Sequence, residues 1–279
     1  MPRLAIIGHS HTVAFLDAIA DWRRFAKLDD WRPDGFPEAY RGWFSLAVDG
    51  AAFRFTSKPE FAAFADAKTV LFAPAANPWE LAHLGDGDGG PSVQVSPHLQ
   101  KCLLEISDCD TIVSFIHGWE VPAISLVNQH PDYDFAPYDD HHCRPIDYQF
   151  ILGAIVEMVM KVVVPLRVIK VVMPTARIFH VTPPPPLEDP ARAPYREQFA
   201  DVMETYGVAR AALRLKWHYA YREELSRMLM LAGMLALHEP PAALTAEGFL
   251  REEFSGSVTH ANAAYGALVA DRVRGLVFG

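Results

Sequence analysis

The chain has 279 residues and a formal net charge of −9, with 51% hydrophobic and 21% charged residues. That length allows one large domain or two small ones, and the composition is that of a globular protein with a real core. No cluster of Lys and Arg stands out, which argues against a nucleic-acid partner, since phosphate binding rests on basic surface.

The apolar run Leu4-Ala5-Ile6-Ile7 reads as a buried strand. Gly8 breaks it, Ser10 stands at the turn, and Val13, Ala14, Phe15, Leu16 and Ile19 start a helical pattern expected over 12–28. A strand–turn–helix places a helix N-terminus at the carboxyl end of a strand, where open α/β sheets bind ligands. Ser10 is therefore either a nucleophile or the helix N-cap, a position that favours serine. His9 and His11 flank it, and their side chains are expected to diverge from the serine toward solvent or nearby carbonyls.

Residues 29–42 read as loop. Phe44–Val48 and Phe53–Thr56 flank Asp49-Gly50, a hairpin signal. Phe61–Ala67 reads as a short helix and Thr69–Ala73 as a buried strand. Residues 74–95, with Gly-Asp-Gly-Asp-Gly-Gly at 85–90, read as a flexible loop; the alternating ligands and distal Glu of a calcium loop are missing. Pro97–Ile106 reads as a helix with Leu99, Cys102, Leu103 and Ile106 on one face. Thr111–Ile116 is the clearest internal strand and runs into His117-Gly118-Trp119-Glu120.

Residues 128–147 form a polar connection. It contains Asp139-Asp140-His141-His142-Cys143, yet adjacent residues rarely converge on one ion and no second pair has zinc spacing, so no metal is expected. Ile151–Met173 is the most hydrophobic region. Glu157, Lys161, Arg167 and Lys170 interrupt it, which fits core-facing helices with a break near Pro165 and not a bilayer span, which needs ~20 mostly apolar residues. Arg177–Thr182 reads as a strand stopped by Pro183–Pro186. Helices over 194–206 and 210–234, a short strand over 235–238, a loop over 242–259 and a helix over 261–277 complete the chain, with His260 just before the last helix. The three cysteines, Cys102, Cys109 and Cys143, make no disulfide framework, and no charged-then-apolar leader opens the chain; a cytoplasmic location is expected.

Strands alternating with helices imply a parallel sheet covered on both faces, here in a single domain over 1–279. An N-terminal serine and a C-terminal histidine can meet across the top of such a sheet. A nucleophilic serine needs such a base, because a hydroxyl is weakly nucleophilic at neutral pH.

Ile7-Gly8-His9-Ser10 resembles the Gly-Asp-Ser motif of the SGNH hydrolases, the GDSL esterase superfamily, with His9 in place of Asp. Ile112 to Glu120, followed by Leu126, His130-Pro131 and Asp134-Phe135, resembles the third motif, where that family has Gly-Asn-Asp or Gly-Asn-Glu. Val181-Thr182 before the prolines resembles a later strand end, and Ser257–Gly266 resembles the final Asp-x-x-His motif and its helix. Together these places span residues 4–277. The resemblance implies a flavodoxin-like three-layer α/β/α fold with a central, mostly parallel sheet, no cofactor, and esterase or deacetylase chemistry on a small-molecule or carbohydrate ester. Ser10 would attack the ester carbonyl and His260 would take and return its proton. The oxyanion would be held by the Ser10 N–H, by a glycine N–H from Gly89 or Gly90, and by the residue at the Asn position, here Trp119 after Gly118.

Two positions depart from that pattern. Trp119 offers a single indole N–H, or a flat face for a sugar ring or acyl chain. Ser257 stands where the family has Asp; a hydroxyl can hold the imidazole tautomer without offsetting the imidazolium charge. Glu120, Glu252 and Glu253 are alternative orienting groups. A weakened relative that binds a ligand or glycan, or acts as an interaction module, is therefore the rival expectation. Acyl transfer is a third, because an acyl-enzyme can pass its acyl group to an alcohol other than water.

Overall fold

Every residue of the first strand, β1 (Leu4–Gly8), is buried, as its unbroken apolar run requires. The computed structural model describes residues 2–21, 52–72, 81–87, 90–117, 126–127, 132–137, 142–194 and 199–279. After β1 come α1 (His11–Ile19), β2 (Ala52–Phe53), a 3₁₀ turn over Pro59–Phe64, β3 (Lys68–Leu71), β4 (Ala82–Gly87), β5 (Gly90–Val95) and α2 (Pro97–Ile106). Then follow β6 (Thr111–Phe115), β7 (Tyr133–Phe135), β8 (Arg144–Ile146), α3 (Tyr148–Val172), β9 (Arg177–Val181), α4 (Ala200–Tyr206), α5 (Ala211–Leu231), β10 (Leu235–Leu237) and α6 (Ala263–Val277).

The main sheet has six strands in the order β10-β9-β6-β1-β3-β2. All neighbours pair in parallel except the edge strand β2, which is antiparallel to β3. Counted along the chain, the parallel strands stand in the flavodoxin-like order 2-1-3-4-5. Side chains alternate across the sheet. Leu4, Ile6, Val113, Phe115, Phe179 and Val181 pack with α1 and α6. Ala5, Ile7, Ile112 and Ile178 face the other way, onto α2, α3 and α5. The result is the three-layer α/β/α architecture expected from the sequence. In this strand order the ligand crevice lies between the carboxyl ends of β1 and β6, which places Ser10 and His117 at its walls.

Several elements differ from the sequence expectation. The first helix ends at Ile19: the Lys58 ammonium bonds the Asp17 and Ala18 carbonyls at 2.9 and 2.8 Å, and Ala20 turns extended to bridge Ser57. The Asp49-Gly50 turn and its first arm lie outside the described residues, and Ala52–Phe53 pairs with β3 instead. Within the stretch expected to be loop, 82–87 and 90–95 form the antiparallel β4–β5 hairpin, with Gly87 opposite Gly90. The polar connection contains the short parallel pair β7–β8, while Asp139, Asp140 and His141 lie outside the described residues. Helix α3 runs unbroken through Pro165. An interior proline costs ~3 kcal/mol, but Val162, Val163, Val164 and Leu166 around it are buried, each contributing about 1.5–3 kcal/mol, so packing outweighs the lost main-chain bond. No helix among the described residues is long and apolar enough to cross a membrane.

Candidate functional site

Two glycines let the chain form this site. At Gly8 a Cβ would lie 2.4 Å from Thr12 Oγ1 and 2.7 Å from the Phe115 main-chain oxygen, so only glycine lets β1 turn directly into α1 beside β6. At Gly266 a Cβ would lie 1.9 Å from the Ala14 main-chain oxygen. Its absence allows α6 to press backbone to backbone on α1. The start of α1 carries Ser10, and the loop before α6 carries His260. That loop is cross-linked: the Gly256 and Ser257 N–H groups donate to the His260 carbonyl at 2.8 and 2.9 Å, and the Asn262 N–H donates to Phe254 O at 2.9 Å. Asn262 also caps α6, accepting from Ala264 and Tyr265.

Ser10 is not a capping serine. It has helical dihedrals, φ −53° and ψ −32°, and its side chain makes no cap bond. Its Oγ instead meets His260 Nε2 at 2.8 Å. The other ring nitrogen, Nδ1, meets Thr259 Oγ1 at 2.9 Å and Ser257 Oγ at 3.2 Å. Ser257 Oγ already accepts the N–H groups of Thr259 and His260, at 3.3 and 3.1 Å. With both lone pairs engaged, it has a proton to offer Nδ1. Thr259 Oγ1 has lone pairs open and can accept an Nδ1–H. The shorter contact, to Thr259, thus favours the tautomer that leaves the Nε2 lone pair facing the Ser10 hydroxyl. Thr259 escaped the sequence reading, because a residue adjacent to the histidine has no motif spacing that would mark it.

His11 does not turn to solvent as expected. Its ring stacks on His260 with centroids 4.5 Å apart and an interplanar angle of 24°. His117 meets His11 edge-on at 5.1 Å and His180 at 4.7 Å. His9 is buried against Phe72, 5.4 Å between centroids. The short β1–α1 turn carries His9 and His11 to the sheet end, beside His117 and His180. Burial pushes His260 down to about 4. His11 is lowered first by burial and then by the neighbouring His260 and His117. His260 and His11 are therefore neutral at pH 7, and Nε2 of His260 is an available base. No group of His, Cys, Asp or Glu among the described residues has the arrangement to hold a metal.

The structure brings Ser257 to His260 but not Gly90 to Ser10. Gly90 opens β5 at φ +112°, exposed, and a Cβ there would touch nothing within 4 Å. Glu252 and Glu253, considered as orienting acids, pair with Arg192 and Arg251. Gly89, Gly118, Trp119 and Glu120 lie outside the described residues. A cleft beside the dyad is walled by Pro183–Pro186, Arg214, His218, Leu250, Ser257, Val258, Thr259 and His260, with Leu126 at its edge.

No protein-family model and no curated protein matches the chain. Solved structures align along nearly its whole length at low identity. A lipase from a goat rumen metagenome is 12% identical with a TM-score of 0.49, covering 100% of this chain and 99% of that one. A Bacteroides fragilis protein described as a putative acylhydrolase is 6% identical, TM-score 0.49, covering 99% and 86%. The periplasmic domain of a Salmonella Paratyphi A lipopolysaccharide acetyltransferase is 11% identical, TM-score 0.46, covering 99% and 84%. Such distant likeness assigns no reaction, and the fold of this chain rests on its own strand order.

Proposed function

We propose that this protein is a serine esterase or deacetylase acting on a small-molecule or carbohydrate ester, with Ser10 as nucleophile and His260 as general base. The observation that carries the reading is the 2.8 Å contact between Ser10 Oγ and His260 Nε2, made by a serine that stands at a helix start without capping it. In the first step His260 Nε2 takes the Ser10 proton while Oγ adds to the ester carbonyl. The imidazolium then protonates the leaving alcohol, and water, deprotonated by the same nitrogen, releases the acid. Thr259 holds the ring by accepting the Nδ1–H, and Ser257 braces the loop by accepting the Thr259 and His260 N–H groups. The Ser10 and His11 N–H groups open α1 and have no main-chain acceptor among the described residues. With the positive end of the helix dipole behind them, they are the proposed main-chain donors to the oxyanion. Trp119 and Gly118, next along the chain from His117, are the candidates for further donors or substrate contacts. A reducing, cytoplasmic setting suits the buried thiols Cys102 and Cys109, raised by burial to about 12 and about 11.

A fluorophosphonate probe tests the assignment. Wild-type protein becomes covalently labelled and Ser10→Ala does not. Absence of labelling in the wild type, or equal labelling of both, overturns it. The second reading, a weakened relative that binds a ligand or glycan, is favoured by the two hydroxyls at Nδ1 and by a base lowered to about 4. Rapid wild-type turnover of 4-nitrophenyl acetate excludes that reading.

A further inference from the structure

The cleft beside the dyad contains a buried cation. Arg214, in the first turn of α5, is 3% exposed. Its Nε donates to Ala209 O at 3.0 Å, Nη1 to Leu187 O at 2.5 Å and Nη2 to Glu188 O at 2.6 Å. All three acceptors are uncharged main-chain carbonyls. A guanidinium has five N–H donors in a planar fork, so two remain beyond these bonds.

Buried charges are ordinarily paired, and other cations of this molecule follow that rule. Lys216 meets buried Asp134 at 2.6 Å, and Arg222 meets buried Glu239. Arg214 has no ion pair among the described residues. Asp189 and Glu188 act on it only through space, and Asp189 instead accepts from the Ala191 N–H at 2.9 Å and pairs with Arg192 at 3.5 Å. Burial lowers Arg214 to about 10, which still leaves it cationic at neutral pH. One helical turn along α5, His218 walls the same cleft; it is 3% exposed and its Nε2 has no hydrogen-bond partner among the described residues. The dyad's Ser257, Thr259 and His260 wall the cleft too. The prolines Pro183–Pro186, also in its wall, supply apolar surface without N–H donors.

We infer that this cleft receives an anionic group of the substrate, a carboxylate seated on Arg214, so that the esters brought to Ser10 carry a negative charge on their acyl or alcohol part. The planar fork suits a planar carboxylate. The reaction at Ser10 rests on the function proposed above; the binding does not, and the experiment separates them. In the Ser10→Ala protein, calorimetric titration compares 3-acetoxybenzoate with the neutral 3-acetoxybenzamide. The acid is expected to bind at least tenfold more tightly. Arg214→Met in the same background abolishes that preference, and Arg214→Lys restores part of it. Equal binding of acid and amide, or a preference that survives Arg214→Met, overturns the inference. Should Arg214→Met fail to fold, the acid-to-amide ratio of the Ser10→Ala parent still decides. The wild type then locates the charge: kcat/KM for 4-nitrophenyl hemiglutarate over 4-nitrophenyl acetate reports an acid on the acyl side, and 3-acetoxybenzoate over phenyl acetate one on the alcohol side. A charge preference without fluorophosphonate labelling removes the esterase and leaves the anion cleft. Labelling without charge preference does the reverse.

Discussion

Ser96 and Ser10 each stand immediately before a helix, and the molecule uses them in opposite ways. Ser96 has extended dihedrals, φ −67° and ψ 154°, and its hydroxyl accepts the Leu99 N–H at 3.2 Å. Ser10 is already helical, its hydroxyl caps nothing, and it reaches across to a residue 250 positions away. The difference lies in the backbone before the serine. Gly8 delivers the chain from β1 into α1 so tightly that Ser10 enters the helix turned away from its own N–H groups. A hydroxyl kept out of local structure is available for chemistry, and the helix gives up a cap to keep it so.

The largest effect that can break this contrast is on Ser10 itself. Ser10→Ala should lower ester turnover by at least ~10³-fold and leave the melting temperature unchanged, because no cap is lost. A drop in melting temperature with turnover intact would make Ser10 a second Ser96. Next is Gly266→Ala, whose Cβ must move the Ala14 carbonyl 1.9 Å away. Overpacking of this kind costs about 1–3 kcal/mol. It parts α6 from α1, so labelling of Ser10 should slow more than tenfold. Unchanged labelling would show that His260 is held by its loop alone.

Ser257→Asp sharpens the contrast through pH. In the wild type the base is lowered to about 4, so the rate of Ser10 labelling should hold from pH 8 down to near pH 5 and fall only below. A carboxylate beside Nδ1 stabilises the imidazolium and raises that pKa. The acid limb then moves up by a unit or more, the rate at pH 5 falls relative to pH 8, and the rate at pH 8 rises. A pH profile that stays in place would separate Ser257 from the imidazole. The smallest effect is Ser96→Ala. Loss of a capping hydroxyl costs ~1 kcal/mol, a shift of about 2–4 °C in a chain of this size, measured by thermal unfolding with fluorophosphonate labelling unaltered.

Much of the frame was legible in the residues. The buried run through Ile7, the break at Gly8 and the proline stop after Val181 report local backbone physics, and each stands where expected. The dyad was legible only as two residues at matching ends of an α/β pattern. The rest depended on distant partners. Lys58 ends α1 from 40 residues away, and burial of the surrounding valines carries α3 past Pro165. The β4–β5 hairpin was missed because Leu84 and Val93 are exposed, so no buried face marks the strands. The stacking of His11 on His260 and the unpaired charge of Arg214 arise from neighbours that no local pattern encodes.

The contact between Ser10 and His260 closes almost the full length of the chain. During synthesis Ser10 emerges with the first turn of the fold, while His260 follows after nearly every other described element has left the ribosome. A chain growing at ~5–20 residues per second therefore carries a silent serine until α6 docks on α1. Labelling and any acylation of Ser10 become reporters that α6 has been made and has docked, and a chain cut before His260 leaves Ser10 without the imidazole it meets.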